Sequence, residues 1–215
     1  MTTITISTLL RESWGTFTKR PLMLMGIVLV LFIISGFSSY LTSLGDKSGM
    51  MLPQLVLSIF DVVVQLFLGI GIIHSMLKAD TALENLELKD LWYPSPFWQY
   101  LFASILTGVV VTIGFVLLII PGVIAALALF LVPYLVIDKG YPALKAFRES
   151  IRLTKGHRIK LLALILLVVA LNVLGALALG IGLLVSVPVS LLMVVRAYRM
   201  LSEEGGQEEA MVAHG

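Results

Sequence analysis

The sequence contains no cysteine and has few charged residues. The absence of cysteine excludes disulfides, thiolate chemistry and cysteine-ligated metals. Charged residues make up 13% of the 215 residues, whereas a typical soluble domain has about 25%. A surface that faces water needs more charged residues than this. A surface that faces the hydrocarbon of a bilayer can consist of leucine, valine and isoleucine without a free-energy penalty. With 59% hydrophobic residues, the composition indicates an integral membrane protein.

Sequence motifs typical of enzymes and nucleic-acid-binding proteins are also missing. There is no G-x-S-x-G, H-E-x-x-H or P-loop motif, and the basic residues are not interleaved with aromatic residues. The charged and histidine side chains of the apolar stretches are Asp61 and His74, with Arg196 and Arg199 near the end of the sixth stretch, and they are too scattered for acid-base catalysis. We therefore expect a non-enzymatic protein without catalytic residues, cofactor, metal or nucleic-acid partner. An intramembrane lipid enzyme is kept as an alternative.

Six apolar stretches are candidates for crossing the bilayer, which takes about 20 residues. They comprise residues 22–44, 53–77, 97–120, 123–137, 161–179 and 183–201. The fourth is short and contains Pro133, and Pro188 lies inside the sixth. The sequence predicts an all-α fold of six transmembrane helices arranged as three hairpins.

Polar segments precede these hairpins. In residues 138–158, Leu144 and Ile151 recur at helical spacing, opposite a set of basic residues. Residues 78–96 alternate acidic residues with leucine, which indicates a segment at the membrane interface. We expect a cytoplasmic amphipathic helix before each hairpin. Residues 202–215 contain four glutamates and predict a disordered cytoplasmic tail.

The basic residues indicate the orientation. All of them except Lys47 fall on the same side of the six predicted helices. Because loops rich in lysine and arginine stay in the cytoplasm, we expect both termini to be cytoplasmic.

Two of the polar segments share a short motif. Leu10-Arg11-Glu12-Ser13 precedes the first apolar stretch, and Phe147-Arg148-Glu149-Ser150 precedes the fifth. The match favours one domain, residues 1–201, built from three repeat units at about 7–79, 80–137 and 138–201. The alternative is that basic helices next to membranes resemble one another and that a four-residue match arises by chance.

Several short motifs in the second half carry a family resemblance. They are Ile120-Pro121-Gly122, Tyr141-Pro142-Ala143-Leu144 and Thr154-Lys155-Gly156-His157. Residues 120–201 resemble the bacterial and archaeal family of glycerophosphoryl diester phosphodiesterase membrane domains, and also YciC-like six-helix membrane proteins. The resemblance implies a fold and a location, the plasma membrane of a prokaryote. It implies no catalytic residue, because in fused members of that family the phosphodiesterase activity belongs to a separate soluble domain.

Asp61 is the most informative single residue, because an ionisable side chain inside lipid usually faces the bundle interior. The helical rise of 1.5 Å per residue gives the depth of each residue in the membrane. The polar residues at a depth similar to that of Asp61 indicate a buried polar cluster of Asp61, Gln65, Thr112, Asn172 and Ser190. This cluster could be a proton or solute relay in a small transporter or channel subunit. The alternative is a hydrogen-bonded packing contact between helices, which we favour because no basic residue lies at that depth and a relay normally has more than one titratable member.

A second candidate site is a basic face predicted on the amphipathic helix of residues 138–158. It consists of Lys145, Arg148, Arg152, Lys155 and Arg158. Such a face attracts anionic lipid headgroups of the cytoplasmic leaflet, although the same charges could serve topology alone. The main hypothesis is therefore a role in membrane or envelope organisation, or as a partner of other membrane proteins. A homo-oligomer is also left open.

Overall fold

The computed structural model describes residues 6–47, 49–178 and 180–213, and every regular element in these residues is a helix. The α-helices are α1 (Ile6–Lys19), α2 (Pro21–Lys47), α3 (Met51–Ala82), α4 (Phe97–Leu117), α5 (Ile119–Ala128), α6 (Val132–Lys139), α7 (Ala143–Thr154), α8 (Arg158–Leu177) and α9 (Leu183–Ala213). Two short 3-10 helices, Leu83–Asn85 and Leu88–Leu91, follow α3. The predicted all-α class is confirmed.

Six segments of the described chain are long and apolar enough to cross a membrane. They are Pro21–Gly45, Met51–Asn85, Phe97–Leu117, Ile119–Lys139, Arg158–Leu177 and Leu183–Gln207. The prediction of six membrane-spanning helices is confirmed, and the chain is a multi-pass membrane protein. The fourth segment joins α5 and α6 across a break just before Pro133, whose missing N–H and fixed φ favour the start of a new helix.

The buried core lies at the end of the bundle where α3, α6 and α9 meet. Helix α3 packs against both α6 and α9. The side chains at this junction are at most 2% exposed, and they include Ile70, Met76, Leu135, Leu192 and Tyr198. Toward the opposite end, α2, α4 and α8 carry many exposed apolar side chains, as expected for surfaces in contact with lipid. Tight packing therefore holds the bundle mainly at one end.

Helix α7 is attached to the break between α5 and α6 through two buried hydroxyl groups. Ser150 Oγ donates to the Ala128 carbonyl at 2.7 Å and accepts from the Leu131 amide at 3.3 Å. Thr154 Oγ1 lies 3.3 Å from the same Ala128 carbonyl. A helix break inside an apolar protein leaves backbone groups without partners, and α7 supplies those partners.

Buried positions recur at constant offsets along the chain. In α4 the buried residues are Ala103 and Gly114, and the corresponding buried residues are Ile27 and Ser38 in α2 and Leu164 and Gly175 in α8. In α1 the buried residues are Leu9, Ser13, Thr16 and Phe17, and in α7 they are Ala146, Ser150, Leu153 and Thr154. Helices α1 and α7 therefore bury the same face in the same register.

The segment between α3 and α4 differs from the sequence prediction. An amphipathic helix was expected there, but residues 83–91 form two 3-10 helices. Glu87 and Asp90 cap the second of these turns, and the Asp90 carboxylate is bound by Lys78 of α3 at 2.8 Å. This tertiary contact draws the segment against α3, so the predicted helix is wrong here.

The predicted disordered tail is also wrong for residues 202–213, which continue α9 as a helix. The extension is supported by α7 and the turn after it. Arg152 donates to the Gly205 carbonyl at 3.3 Å, and His157 lies 3.5 Å from Glu204. Residues 214–215 of the predicted tail lie outside the described residues.

Candidate functional site

Asp61 and Gln65 of α3 form hydrogen bonds with two serines of α2. Ser38 Oγ donates to Asp61 Oδ1 at 2.6 Å, and Ser38 is only 2% exposed. Gln65 Nε2 lies 2.9 Å from Ser35 Oγ and 3.4 Å from Asp61 Oδ1. The polar group therefore joins two neighbouring helices. Sequence reasoning missed both serines, whose only signal was their position in an apolar stretch.

Asn172 and Ser190 belong to a different group, between α8 and α9. Asn172 Nδ2 donates to Ser190 Oγ at 3.1 Å, and Ser186 Oγ donates to Asn172 Oδ1 at 2.9 Å. Thr112 is exposed on α4 and belongs to neither group. Among the described residues no hydrogen bond links the two groups, so the structure does not bring the five predicted residues together in one cluster.

The basic residues around α7 fall into two sets. Arg148 and Lys155 are exposed and point away from the bundle, on the same side as the exposed apolar residues Leu144 and Ile151. This outward strip is opposite the buried Ser150. It combines positive charge with apolar side chains, as surfaces that lie on anionic bilayers do.

The other three predicted basic residues make contacts within the protein or are partly buried. Arg152 forms a two-point ion pair with Glu149, and Lys145 Nζ lies 3.8 Å from the centroid of the Tyr141 ring. Arg158, at the start of α8, is half-buried. The structure therefore leaves two of the five residues fully available to an outside ligand.

Helix α1 exposes a similar strip at the corresponding positions. Arg11 is exposed, and Trp14, one turn further on, is 50% exposed. These two residues match Arg148 and Ile151 when the buried faces of α1 and α7 are aligned. The two segments are similar in sequence, but the sequence alone predicts no binding residues in α1.

Arg196 of α9 is the centre of an ion-pair network that fixes α1 to the bundle. Its guanidinium donates to Asp80 of α3 at 2.9 Å and to two residues of α1, Glu12 at 2.8 Å and Thr16 at 2.7 Å. Arg199 reaches the other oxygen of Asp80 at 3.2 Å. The network holds three helices in a fixed relation and leaves the outward strip of α1 exposed.

A second ionic contact fixes the segment after α3. Burial acts to raise the pKa of Asp90, but the hydrogen bonds from Lys78 and from the Glu87 amide, together with the charge of Lys78, lower it by more. The pKa of Asp90 therefore lies below its ordinary value of 3.8. His74 adds to this contact by bonding the Asp90 carbonyl oxygen at 3.0 Å.

This contact makes stability depend on pH. A carboxyl whose pKa is lowered by folding stabilises the protein fully above its unfolded value, and that stabilisation is lost as the pH falls toward the folded value. We expect the thermal unfolding midpoint in detergent to fall between about pH 6 and about pH 3, with a smaller fall in Asp90→Asn. In the control Glu84→Gln, which neutralises an exposed acid of the same segment, the full fall should persist. Equal pH profiles for Asp90→Asn and the wild type would contradict this.

Comparison with models of protein families finds a match over part of the chain. Residues 106–204 match the family described as Protein of unknown function (DUF975). The matched region runs from within α4 to the extension of α9 and leaves out α1, α2 and α3. No curated protein and no solved structure matches the chain. The match fits an integral membrane protein of unknown role. It does not name the phosphodiesterase membrane domains or the YciC-like proteins, so that resemblance stays a prediction.

Proposed function

We propose that this protein is a non-enzymatic membrane protein that binds anionic lipid headgroups along α1 and α7 and thereby organises the membrane around it. The observation that supports this proposal most directly is the outward strip of α7. Arg148 and Lys155 are exposed there beside Leu144 and Ile151. Neither cation takes part in an ion pair among the described residues.

The attachment of α7 supports a surface held in one orientation. The buried hydroxyl groups of Ser150 and Thr154 bond the break between α5 and α6, so α7 cannot roll without exposing those backbone groups. A helix fixed in this way presents the same strip at all times. Basic residues near an anionic bilayer contribute about 1 kcal/mol each, and a preoriented strip loses little entropy on binding.

The recurrence of buried positions supports an origin of the three helix pairs from one repeated unit. In the first unit Ser35 contacts Gln65 of the following helix, and Asn172, which stands in α8 at the position of Ser35 in α2, is likewise hydrogen bonded to Ser190 of the following helix. A repeated unit would give α1 the same role as α7. We accordingly assign Arg11, with Trp14 as its apolar neighbour, to the same headgroup-binding function.

The distribution of charge supports an orientation with both termini in the cytoplasm. The two strips and the Arg196 network lie at the end of the bundle where the basic residues concentrate, while Lys47 lies at the opposite end of α2. By the positive-inside rule this end faces the cytoplasm. The family resemblance supports the plasma membrane of a prokaryote as the location.

A small transporter or channel subunit is the alternative function. It would need a continuous polar path through the bundle, with Asp61 as a member. The hydrogen bonds of Asp61 and Gln65 stay between α2 and α3, and those of Asn172 stay between α8 and α9. These contacts support packing between neighbouring helices better than a relay.

The test is a titration of the purified protein with fluorescent phosphatidylglycerol. In the double variant Arg148→Gln/Lys155→Gln, two charges of about 1 kcal/mol each are lost, so the affinity should fall by about thirtyfold. The matched control Lys47→Gln/Lys89→Gln makes the same change in net charge at two exposed lysines outside α1 and α7. It should bind almost as the wild type does. Equal weakening in both double variants, or none in the first, would disprove the proposed surface.

A further inference from the structure

A polar patch lies on the outer surface of the α2–α3 pair, within the segments that can cross the membrane. Gln65 is near the middle of α3 and is exposed, and Asp61, one turn earlier, is half-buried. The residues around them on the same helix are apolar and exposed, among them Phe60 and Val62. This surface faces hydrocarbon, where an exposed amide loses its hydrogen bonds to water and gains none from lipid.

The contacts of Gln65 within the chain leave part of its hydrogen-bonding capacity unused. An amide side chain has two donor hydrogens and two acceptor positions. One hydrogen is well placed toward Ser35 at 2.9 Å, but the other has only a long contact of 3.4 Å to Asp61. The Gln65 oxygen lies 3.3 Å from the same serine hydroxyl. One acceptor position of the amide therefore remains unused, and the N–H that lies 3.4 Å from Asp61 can exchange this long contact for a shorter bond to an outside group.

The surface beside Gln65 allows another helix to approach closely. On α2, Ser35, Ser39 and Ser43 follow one another at intervals of four residues. Ser39 and the neighbouring Gly36 are exposed, and apart from its chain neighbours and the backbone of its own helix nothing lies within 4 Å of the position that a Cβ would take at Gly36. Small residues of this kind let helix backbones approach in membranes, where hydrogen bonds between helices then form.

We propose that this patch, consisting of Gln65, Ser35 and Ser39, binds the same patch of a second copy of the chain. Two copies inserted in the same orientation are related by a twofold axis along the membrane normal, so each Gln65 meets its equivalent at the same depth. The N–H of each amide that has only the long contact to Asp61 then donates to the unused acceptor position of the other amide. A different protein would need a polar group of its own at this depth, whereas a second copy necessarily has one. Asp61 is held toward α2 by the hydrogen bond that its Oδ1 accepts from the buried Ser38.

The experiment uses the absence of cysteine from the sequence. Val62→Cys places one thiol on the exposed face of α3 next to Gln65, and oxidation of the full chain in liposomes should give a disulfide-linked dimer. Ile113→Cys, an equally exposed position on α4, should not. In the Val62→Cys background, Gln65→Leu should weaken association by about tenfold, as expected for a lost hydrogen-bonded pair between membrane helices, and Gln65→Asn should restore part of it. The control Thr112→Val removes a polar group exposed on another helix and should leave association unchanged.

Association is also measured by energy transfer between labelled copies at several lipid-to-protein ratios, with the wild-type residue at position 65. A monomer at every ratio would overturn the proposal, and so would a dimer that Gln65→Leu does not weaken. Cross-linking of Val62→Cys in cell membranes to a different protein instead of to itself would also overturn it. Should Gln65→Leu fail to fold, the wild-type energy transfer and the two cysteine positions still decide between dimer and monomer.

Discussion

Replacing Arg196 by methionine should destabilise the protein by about 3 kcal/mol, because it removes one partner of a buried ion pair. Asp80, whose side chain is 11% exposed, would keep only Arg199 as an ionic partner. Glu12 and Thr16 would lose the group that holds α1 against the bundle. We expect a lower thermal unfolding midpoint by intrinsic tryptophan fluorescence in detergent, together with faster proteolysis of α1.

Two further variants separate this effect from a general loss of positive charge. Arg11→Met removes an exposed arginine of α1 and should change stability by less than about 0.5 kcal/mol. Arg196→Lys keeps the charge but cannot reach three acceptors with a planar fork, so its stability should be intermediate. If Arg196→Met had the same thermal unfolding midpoint as the wild type, the network would contribute nothing to holding α1 against the bundle.

Replacing Gly71 by valine should destabilise the protein by about 3 kcal/mol through overpacking. A Cβ at this position would collide with the carbonyl oxygen of Leu91. Because backbone and not a flexible side chain is in the way, the segment that carries Leu91 has to move off α3. That movement would also separate Asp90 from Lys78, so we expect the pH dependence of stability to weaken in the same variant.

Gly26 provides the matched control for this substitution. It lies inside α2, and apart from its chain neighbours and the backbone of its own helix nothing lies within 4 Å of the position that a Cβ would take. Gly26→Val should therefore change stability by less than about 1 kcal/mol, the scale of helix propensity. Similar unfolding midpoints for the two variants would show that the segment after α3 does not pack against Gly71 as described.

Hydropathy was sufficient to predict the helices that cross the membrane. The first apolar stretch, predicted at residues 22–44, lies within the segment Pro21–Gly45, and the fourth, predicted at residues 123–137, lies within the segment Ile119–Lys139. These features depend on length and local composition alone, which a single sequence contains in full.

The predicted polar cluster illustrates what a single sequence does not contain. The helical rise gives the depth of Asp61, Thr112 and Asn172, but not the direction in which each side chain points around its helix axis. In the structure Asp61 faces Ser38 of the neighbouring helix, and Thr112 faces outward. Equal depth was therefore a poor guide to contact, whereas adjacency of helices in the bundle decided which groups met.

The sequence by itself determined that lipid surrounds the protein, that the fold is all-helical and that six helices can cross the membrane. Each of these follows from the number and length of the apolar stretches. Only the tertiary structure decided which face of each helix is buried. Arg152 turns to Glu149 while Arg148 and Lys155 face outward, and the Ser150 hydroxyl holds α7 against the break between α5 and α6. The physical reason is that the rotation of a helix about its axis is set by the neighbours against which it packs, and those neighbours are far away in the chain.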